Sequence, residues 1–496
     1  MARWWYTAGS AMLLALGAAA DWPYLSYNSI DFQPPQLQIN QTGPVDPGYI
    51  FLGPRGAIQP AGQAALIYDN SGNLVYEGPD EVTANFMVQK LFGKDVITFW
   101  AGDMLDVGYG YGTVHILDNT YNEIYTVTLT GSFVTPDNST KDSYIDLHES
   151  HITPNNTLLV TAYNLTQHDL TSVNGTTSDW MLDSHFYEID IPTNKIINSW
   201  SALDHQDAIP LNSSHQELAS NAGTQANPWD AYHINAITTT RHGYLVSLRH
   251  MWSGFYLHHN GTVMWQIDGE NGGDFKQIGN TTFSWQHDIR VHNETDKGMV
   301  LSLFNNHNTE TNSEGQTSGL FLGINLQNHT VTGLRSLIDP NDTIYAGSQG
   351  STQLLSYKNQ HVFMDYGAIS KVKEFSANGS VVFSAAFGEE NAVASYRGYR
   401  CQWKATPFWK PSLAITRTSD NSADVYMSWN GATEYDNWAI LAATSNTSVN
   451  NTELSANNVR TGFETAVSIG NLPTGYLQIV ARKGNATLGT SDIVSF

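Results

Sequence analysis

Short alternating or continuous apolar runs, separated by turns rich in Asn-Gly, Asp-Asn and glycine, make up most of this chain. Helical periodicity is scarce after the N-terminal segment, and runs of this length with such turns predict β-strands. One stretch predicts four consecutive strands, namely His233-Ile-Asn-Ala-Ile, Gly243-Tyr-Leu-Val-Ser-Leu, Gly254-Phe-Tyr-Leu and, after an Asn260-Gly turn, Thr262-Val-Met-Trp-Gln-Ile.

The same pattern of four predicted strands recurs along the chain, with copies that begin near residues 62, 95, 151, 233, 287 and 350. A period of about 40 to 60 residues is typical of propeller blades, and a closed ring leaves few strand edges exposed. The sequence therefore predicts an all-β protein whose residues 21–405 form a six-bladed β-propeller. An array of β-sandwiches is the alternative, and the constant order of the strands disfavours it.

The four-strand repeat ends near residue 405, and Pro407 and Pro411 mark a linker. Short predicted strands follow at the spacing seen in β-sandwiches, and Trp429 is expected in their interior. Residues 406–496 are therefore predicted to form a small C-terminal immunoglobulin- or fibronectin-like β-sandwich.

The N-terminus has the pattern of an export signal over residues 1–20. Arg3 supplies the positive charge, Met12-Leu-Leu-Ala-Leu-Gly the apolar segment, and Ala18-Ala-Ala20 a small-residue cleavage site. This apolar segment is too short to span a membrane comfortably, and no later segment reaches spanning length. We expect a secreted, extracellular monomer that has no membrane contact once the signal is removed.

Many Asn-X-Ser/Thr sequons support a secretory route and predict a glycoprotein whose turns face solvent. Cys401 is the only cysteine, so no disulfide can form within one chain, and we expect it to be buried. The predicted glycosylation sites are Asn40, Asn138, Asn155, Asn164, Asn174, Asn212, Asn260, Asn280, Asn293, Asn328, Asn341, Asn378, Asn446, Asn450 and Asn485.

Charge excludes one class of partner. Asp and Glu outnumber Lys and Arg by 46 to 23, only 14% of residues are charged, and no basic run occurs. Nucleic-acid binding needs clustered cations, so no nucleic-acid partner is expected. Small anions remain open as ligands, because a single local cluster can hold them.

Four strings that carry histidine or arginine recur at similar places in the predicted units. In a radial repeat the same edge of every unit meets one axis, so we expect His148, His233, His287 and Arg249 to share one pocket for an anionic substrate. The strings are Asp146-Leu-His148-Glu149, Asp230-Ala-Tyr-His233-Ile-Asn235, Leu248-Arg249-His250 and Trp285-Gln-His287-Asp288.

Three chemistries are open for this set. Imidazole suits zinc, copper and iron, but no His-X-His pair or His-Glu-X-X-His helix is present, so no metal and no cofactor is predicted. Histidine can also act as a general acid or base, or as a nucleophile toward a sulfuryl or phosphoryl group whose oxygens Arg249 neutralises. Glu149 and Asp288 adjoin two of the histidines and are candidates for fixing their tautomers.

No P-loop, Gly-X-Ser-X-Gly elbow or dinucleotide fingerprint occurs in a strand-to-helix context. The glycine-rich string Gly108-Tyr-Gly-Tyr-Gly112 lies between predicted strands and is interpreted as a flexible turn. Tyr109 and Tyr111 are predicted to supply aromatic walls for the substrate.

These residues resemble the arylsulfotransferase (ASST) family, in particular its secreted fungal branch. The resemblance runs from about residue 47 to residue 434, and its motifs are specific for membership only when taken together. The strings that carry it are Pro47-Gly-Tyr-Ile-Phe, Ile67-Tyr-Asp-Asn-Ser-Gly-Asn-Leu-Val-Tyr, Asp146-Leu-His-Glu, Tyr232-His-Ile-Asn, Leu248-Arg-His, Trp285-Gln-His-Asp and Ser428-Trp-Asn-Gly-Ala-Thr-Glu.

The resemblance implies a six-bladed propeller and a transfer of sulfuryl groups from a phenolic sulfate to a phenol, without a nucleotide donor, through a sulfohistidine. Carried over by motif, His287 is the nucleophile, His148 and His233 assist proton transfer, and Arg249 clamps the sulfuryl oxygens. Asn235 helps to hold the pocket. The chain departs from the bacterial members, which have an N-terminal β-domain and commonly a disulfide.

Two alternatives stay open at this point. One is an enzyme of the same fold repurposed in secondary metabolism, an isomerase, cyclase or oxidoreductase that acts on a phenolic or polyketide metabolite with the histidines as acid and base. The other is a non-catalytic propeller that binds a glycan or a partner. A fold by itself does not select among them.

Overall fold

A computed structural model describes residues 22–56, 62–105, 108–309, 311–445, 448–472 and 475–496. The all-β prediction is confirmed. The only helices in these ranges are single 3₁₀ turns at Thr171–Val173, Leu203–His205, Leu211–Ser213 and Arg249–Met251. None of the described helices has the length and apolar character that crossing a membrane requires. The predicted signal peptide lies outside the described residues.

Six sheets of four or five strands, here called sheets I to VI, occupy the described chain up to residue 401. Sheet I has the order Tyr399–Cys401 (β28), Tyr49–Leu52 (β2), Leu66–Tyr68 (β4) and Leu74–Glu77 (β5). Sheet II contains Thr83–Leu91 (β6), Lys94–Met104 (β7), Gly110–Leu117 (β8) and Glu123–Val127 (β9). Sheet III contains Ser150–Ile152 (β10), Thr157–His168 (β11), Asp179–Asp190 (β12) and Lys195–Ser201 (β13).

The remaining three sheets follow the same plan. Sheet IV contains Ile234–Thr239 (β14), Gly243–Leu248 (β15), Ser253–His258 (β16) and Val263–Asp268 (β17). Sheet V contains His287–Thr295 (β19), Gly298–Asn305 (β20), Ser318–Asn325 (β21) and Thr330–Leu337 (β22), with Lys276–Ile278 (β18) parallel to β22. Sheet VI contains Ser351–Leu354 (β23), Val362–Asp365 (β24), Lys371–Phe375 (β25) and Val381–Ala386 (β26), with Gln38–Gln41 (β1) on its outer edge.

Apart from β18, strands of the same sheet that follow one another in the chain pair antiparallel. The four strands predicted over residues 233–267 correspond one by one to the strands of sheet IV. Apolar clusters pack sheet I against II, sheets II, III and IV against one another, IV against V, and V against VI. A further cluster packs sheet VI against sheet I, so the six sheets form a closed cycle.

Two long-range strand pairings close this cycle. Strand β28, at the end of the repeating region, pairs antiparallel with β2 near its beginning. Strand β1 pairs with β26 on the far edge of sheet VI. A small ladder joins Pro54–Gly56 (β3) to Val393–Ser395 (β27). The sequence pattern did not reveal these pairings, because each joins segments more than three hundred residues apart.

The chain after residue 405 forms two sheets around a separate apolar cluster that contains Trp429, which is buried as expected. The side-chain amide of Asn430 donates to the carbonyl of Glu77 in sheet I, and the hydroxyl of Tyr121, in the turn before β9 of sheet II, donates to the Gly431 carbonyl, so this region contacts sheets I and II. Its strands are Ser412–Ser419 (β29), Ser422–Ser428 (β30), Asn437–Ser445 (β31), Ser448–Val459 (β32), Glu464–Gly470 (β33), Tyr476–Lys483 (β34), Ala486–Thr490 (β35) and Val494–Ser495 (β36).

Cys401 is buried as predicted, and its burial raises the pKa of the thiol to about 12. The sequon asparagines with described side chains are exposed, except Asn164, which is half-buried and accepts a hydrogen bond from the Val134 amide. Asn446 lies outside the described residues, and the side chain of Asn450 is not among the described ones.

Candidate functional site

The four residues expected to share a pocket do so. His148 precedes β10 by two residues, His233 precedes β14 by one, and His287 is the first residue of β19. Arg249 follows directly after β15, at the same edge of the sheets. All four line one cavity of about 660 Å³. The rings of His148 and His233 lie 4.8 Å apart, edge to face.

His148 is held by a buried carboxylate. Its Nδ1 lies 2.6 Å from Asp146 Oδ2, and that oxygen also accepts from the His148 amide and from the Thr161 hydroxyl. The other oxygen of Asp146 accepts from the Gly110 amide. Burial favours the neutral acid, but the interaction with His148 and these hydrogen bonds outweigh it and lower the pKa of Asp146. The carboxylate therefore fixes a proton on Nδ1 and leaves Nε2 for the cavity.

His233 has a similar partner. Its Nδ1 lies 2.5 Å from Asp230 Oδ2, and the Asp230 carbonyl accepts from Nδ1 of His250 at 2.6 Å. The backbone of His233 is left-handed, with φ of 56°, a conformation that non-glycine residues adopt rarely. The short segment before β14 therefore fixes the ring through both its backbone and Asp230.

His287 has a neutral partner instead. Its Nδ1 lies 2.8 Å from Oδ1 of Asn306. The amide nitrogen of Asn306 donates to the carbonyls of Ala346 and Gln349, which fixes Oδ1 as the atom that faces the ring. Nδ1 must then carry the proton, and Nε2, which accepts a 3.2 Å hydrogen bond from the Gln349 amide, keeps its lone pair.

The guanidinium of Arg249 is fixed at the cavity wall. One terminal nitrogen contacts Nε2 of His250 at 2.9 Å, and the other donates to the Gly347 carbonyl at 2.9 Å. The group lies over the Trp285 ring, 5.1 Å from its centre. A buried guanidinium held in this way presents a permanent positive charge to the cavity.

The site keeps several imidazoles neutral. Burial, reinforced by His148 and Arg249, holds the pKa of His233 well below its usual value. Burial and Arg249 do the same for the pKa of His287, and burial lowers the pKa of His250 to about 3. Neutral rings near neutral pH have the lone pair that a base, a nucleophile or a metal ligand needs.

Glu149 and Asp288 do not fix the histidine tautomers, contrary to the expectation from their positions. Arg290 pairs with both, at 2.8 Å from Glu149 and 2.7 Å from Asp288. Arg397, which is fully buried, also contacts Glu149 at 3.3 Å. These four charges form a separate buried layer, and Asp146, Asp230 and Asn306 take the expected role.

The cavity wall combines apolar and polar surfaces. The segment between β13 and β14 contributes Gln216 and its neighbours up to Trp229, and Tyr396 closes the opposite side between His148 and His287. The apolar side chains of the wall are Met104, Leu147, Leu182, Trp229 and Tyr396.

Three predicted pocket residues do not line the cavity. Asn235 is fully buried in β14, and its amide donates to the Gln286 carbonyl at 2.6 Å. Tyr109 and Tyr111 pack in the apolar core, where Tyr109 lies against Tyr163 behind the histidines. Only Gly108 of the glycine-rich string reaches the cavity.

The glycine-rich string is also more ordered than predicted, since β8 begins at Gly110. A Cβ atom at Gly112 would lie 2.3 Å from the Ala101 carbonyl and 2.5 Å from the Trp100 ring. The glycines thus allow close strand packing rather than a flexible turn.

The sequence did not reveal Tyr396 and Gln349 as cavity residues, or Asn306 as the partner of His287. Asn306 directly follows β20, nineteen positions after His287, and no motif marks it. Tyr396 precedes β28, so it reaches the site only through the long-range pairing that completes sheet I. Asp146, Asp230 and His250 were in the recurring strings, but no role was assigned to them.

One ring nitrogen from each of His148, His233 and His287 lies within 4.8 Å of the other two. Asp230, His233 and His250 form a second group with similarly close atoms. The histidines of the first group, His148, His233 and His287, come from three different sheets. Their closeness in space therefore could not be predicted from short metal-binding motifs in the sequence.

A family model described as arylsulfotransferase (ASST) matches residues 87–388. No curated protein matches the chain. Among solved structures, an α-L-arabinanase from Penicillium chrysogenum is 11% identical, with 71% of this chain and 92% of that chain covered and a TM-score of 0.33. A GH43 protein from Bacillus licheniformis is 8% identical, with 83% and 88% covered and a TM-score of 0.33.

Proposed function

This chain belongs to the arylsulfotransferase (ASST) family, and from that premise we propose that it transfers a sulfuryl group from a phenolic sulfate to a phenol through a sulfated His287. The observation that carries the proposal is the convergence of three histidines and one arginine on a single cavity. Family membership supports group transfer ahead of the isomerase, cyclase, oxidoreductase and binding-module alternatives.

His287 is the best nucleophile of the three histidines. Its Nε2 keeps a lone pair in the tautomer that Asn306 fixes, and a neutral amide does not raise the basicity of the ring as a carboxylate would. A less basic imidazole is also the better leaving group when the sulfuryl group moves on. His148 and His233, which are backed by carboxylates, suit proton transfer instead.

In the first half-reaction, Nε2 of His287 attacks sulfur, and the S–N bond forms as the bond from sulfur to the aryl oxygen breaks. The departing phenolate takes the Nε2 proton of a doubly protonated His148, whose Nδ1 proton stays in the hydrogen bond to Asp146. In the second half, the acceptor phenol returns a proton to His148 as its oxygen attacks sulfur and the S–N bond breaks, and His233, whose ring lies 4.8 Å away, assists this transfer. Arg249 balances the negative charge of the sulfuryl oxygens throughout.

The walls fit an aryl group next to an anion. Trp229, Tyr396 and the apolar side chains of the wall offer contact surface for a phenyl ring, and Arg249 lies beside the histidines where the sulfate would be held. A cavity of about 660 Å³ is within the range of about 300 to 1,000 Å³ usual for small-molecule sites.

The finer description of the fold is part of the same proposal. We take sheets I to VI as the blades of a six-bladed propeller over residues 21–405, and the strands after residue 405 as a β-sandwich module over 406–496. Cleavage of residues 1–20, secretion, glycosylation at the sequons, a fungal origin and a role in secondary metabolism remain predictions from the sequence.

An exchange assay tests the proposal. Purified protein is given 4-nitrophenyl sulfate and phenol, and 4-nitrophenol release and phenyl sulfate are measured together. We expect release to depend on the acceptor after one turnover, because a covalent intermediate gives ping-pong kinetics. Peptide mass spectrometry of protein quenched without acceptor should find the sulfuryl group on His287.

His287→Asn is the test variant, and His258→Asn, at an exposed position at the end of β16, is the matched control. Loss of transfer in the first but not the second supports the nucleophile. Full transfer by a correctly folded His287→Asn protein would refute it.

A further inference from the structure

One ring nitrogen from each of three histidines, which come from three different sheets, lies within 4.8 Å of the other two, and that of His287 would exchange its hydrogen bond from the Gln349 amide for a metal ion. We propose that His148, His233 and His287 also bind one zinc ion through their Nε2 atoms, with a fourth position open to the cavity. This inference does not rest on the proposed transfer reaction, because it concerns the geometry of the ligands alone.

The outer contacts of the three rings are those of a metal site. Histidines that bind a metal almost always give their other N–H to a carboxylate, a carbonyl or water, which fixes the ring and its tautomer. Here Nδ1 of His148 contacts Asp146, that of His233 contacts Asp230, and that of His287 contacts Asn306. All three rings are buried, so their orientations are fixed by packing as well.

The distances need only a small adjustment. Zinc–nitrogen bonds of about 2.0 to 2.1 Å in a tetrahedral site place the nitrogens about 3.4 Å apart. The three nitrogens lie within 4.8 Å of one another, so each has to move inward by less than about 1 Å. Small rotations about the Cα–Cβ bonds move the far ring nitrogen more than Nδ1 and supply movement of this size.

The charges around the point suit a divalent ion with an anion at its open position. Asp146 and Asp230 lie directly behind two of the ligands, and Arg249 is on the cavity side. Ligands with three imidazoles and one open position are typical of catalytic zinc. The second group does not compete, because His250 contacts Asp230 through Nδ1 and Arg249 through Nε2.

Binding at this point would have a measurable effect on the proposed transfer. The ion would use the Nε2 lone pair of His287 that an attack on sulfur requires. Zinc should therefore inhibit sulfuryl transfer in wild-type protein, and a chelator should restore it.

Cobalt(II) is the probe for the test, because it replaces zinc in four-coordinate sites and gives visible d–d absorption bands whose intensity reports the coordination number. Protein dialysed against a chelator is titrated with cobalt(II), and then zinc is added. We expect intense bands that saturate at one ion per chain and are abolished by one equivalent of zinc.

Variants distinguish this site from scattered surface histidines. His148→Phe, His233→Phe and His287→Phe should each abolish the intense bands, while His258→Phe should leave them unchanged. Asp146→Asn and Asp230→Asn should weaken zinc binding about 10- to 100-fold, as is usual when an outer contact is removed. Circular dichroism checks that each variant is folded.

The inference is overturned if dialysed wild-type protein gives no intense bands, or if the bands survive in the folded His287→Phe variant. Transfer is assayed on the same samples with a chelator present. Cobalt binding without any transfer would support the metal site and refute the proposed function, and transfer without cobalt binding would do the reverse.

Discussion

Asp230 Oδ2 lies 2.5 Å from His233 Nδ1, and the ring is held in a left-handed backbone segment that admits few other arrangements. The carboxylate therefore sets which nitrogen of His233 faces the cavity. Because Asp230 also accepts from His250 through its carbonyl, one residue positions two imidazoles.

Asp230→Asn tests this positioning. The amide can present its N–H to His233 and force the wrong tautomer, so we expect kcat for sulfuryl transfer to fall about 100-fold with a smaller change in KM. Asp204→Asn, at an exposed position in a 3₁₀ turn, is the control. Unchanged kinetics in Asp230→Asn would show that His233 needs no carboxylate.

Asn306→Ala removes the group that fixes the tautomer of His287. We expect transfer to fall about 100-fold or more, and the free energy of unfolding to fall by about 1 to 3 kcal/mol because two buried carbonyls lose their donor. Stopped-flow release of nitrophenol measures the first step directly. A normal burst rate in this variant would contradict the role given to Asn306.

Arg249→Lys keeps the charge but loses the fork that contacts both His250 and Gly347. We expect kcat/KM for an aryl sulfate to fall about 100- to 1,000-fold, the usual effect of losing a fixed charge-stabilising group. Arg241→Lys, half-exposed on the surface beside Asp296, is the matched control. Equal losses in both variants would mean that the effect is not local to the cavity.

Glu149→Gln tests the buried charge layer as a structural element. Arg290 and Arg397 would both lose a partner at a buried site, and breaking such a pair costs about 3 to 5 kcal/mol. Urea unfolding followed by tryptophan fluorescence measures the loss. A stability equal to that of the wild type would show that Asp288 alone balances the two arginines.

Glu77 should make the protein more stable at lower pH. Burial raises the pKa of this carboxyl to about 7, so the folded state favours the protonated form. Its contribution is full below the unfolded pKa near 4.5 and is lost as the pH rises through 7.

Glu77→Gln, which has no charge to bury, should therefore be about 1 to 3 kcal/mol more stable than the wild type at pH 8.5 and about equal at pH 4.5. Urea unfolding at the two pH values measures the difference. The same difference at both values would rule out titration of Glu77 as its source.

The repeat in the sequence was enough to predict the β-class and the meeting of His148, His233, His287 and Arg249. His148, His233 and His287 lie at or within two residues of the starts of β10, β14 and β19, and Arg249 directly follows β15. Asn235 failed as a prediction because the left-handed backbone at His233 and the register shift between Ile234 and Ala236 break the regular alternation, so the side chains of His233 and Asn235 take different directions. It lies two residues beyond His233, inside β14, and contacts the neighbouring sheet.

Asn306 and Tyr396 could not be predicted for a different reason. Asn306 directly follows β20 and contacts His287 within sheet V without lining the cavity, and no motif marks this pair. Tyr396 lines the cavity from the segment before β28, and a single sequence does not record that this distant segment returns to the site. Tyr109 and Tyr111 were wrongly predicted to line the cavity because the glycines beside them were interpreted as the mark of a flexible loop. At Gly112 the missing side chain instead allows close packing against Trp100.

The pairing of β28 with β2 has a consequence for how the chain reaches this fold. Sheet I stays incomplete until residues 399–401 are available to pair with residues 49–51. During synthesis, the edge of β2 that pairs with β28 therefore stays unpaired until some 350 further residues have been added. Contacts this distant in sequence slow folding, because loop closure must precede the gain from pairing. Once β28 has paired with β2, unfolding has to separate these two strands or two neighbouring sheets, which favours a long-lived folded state.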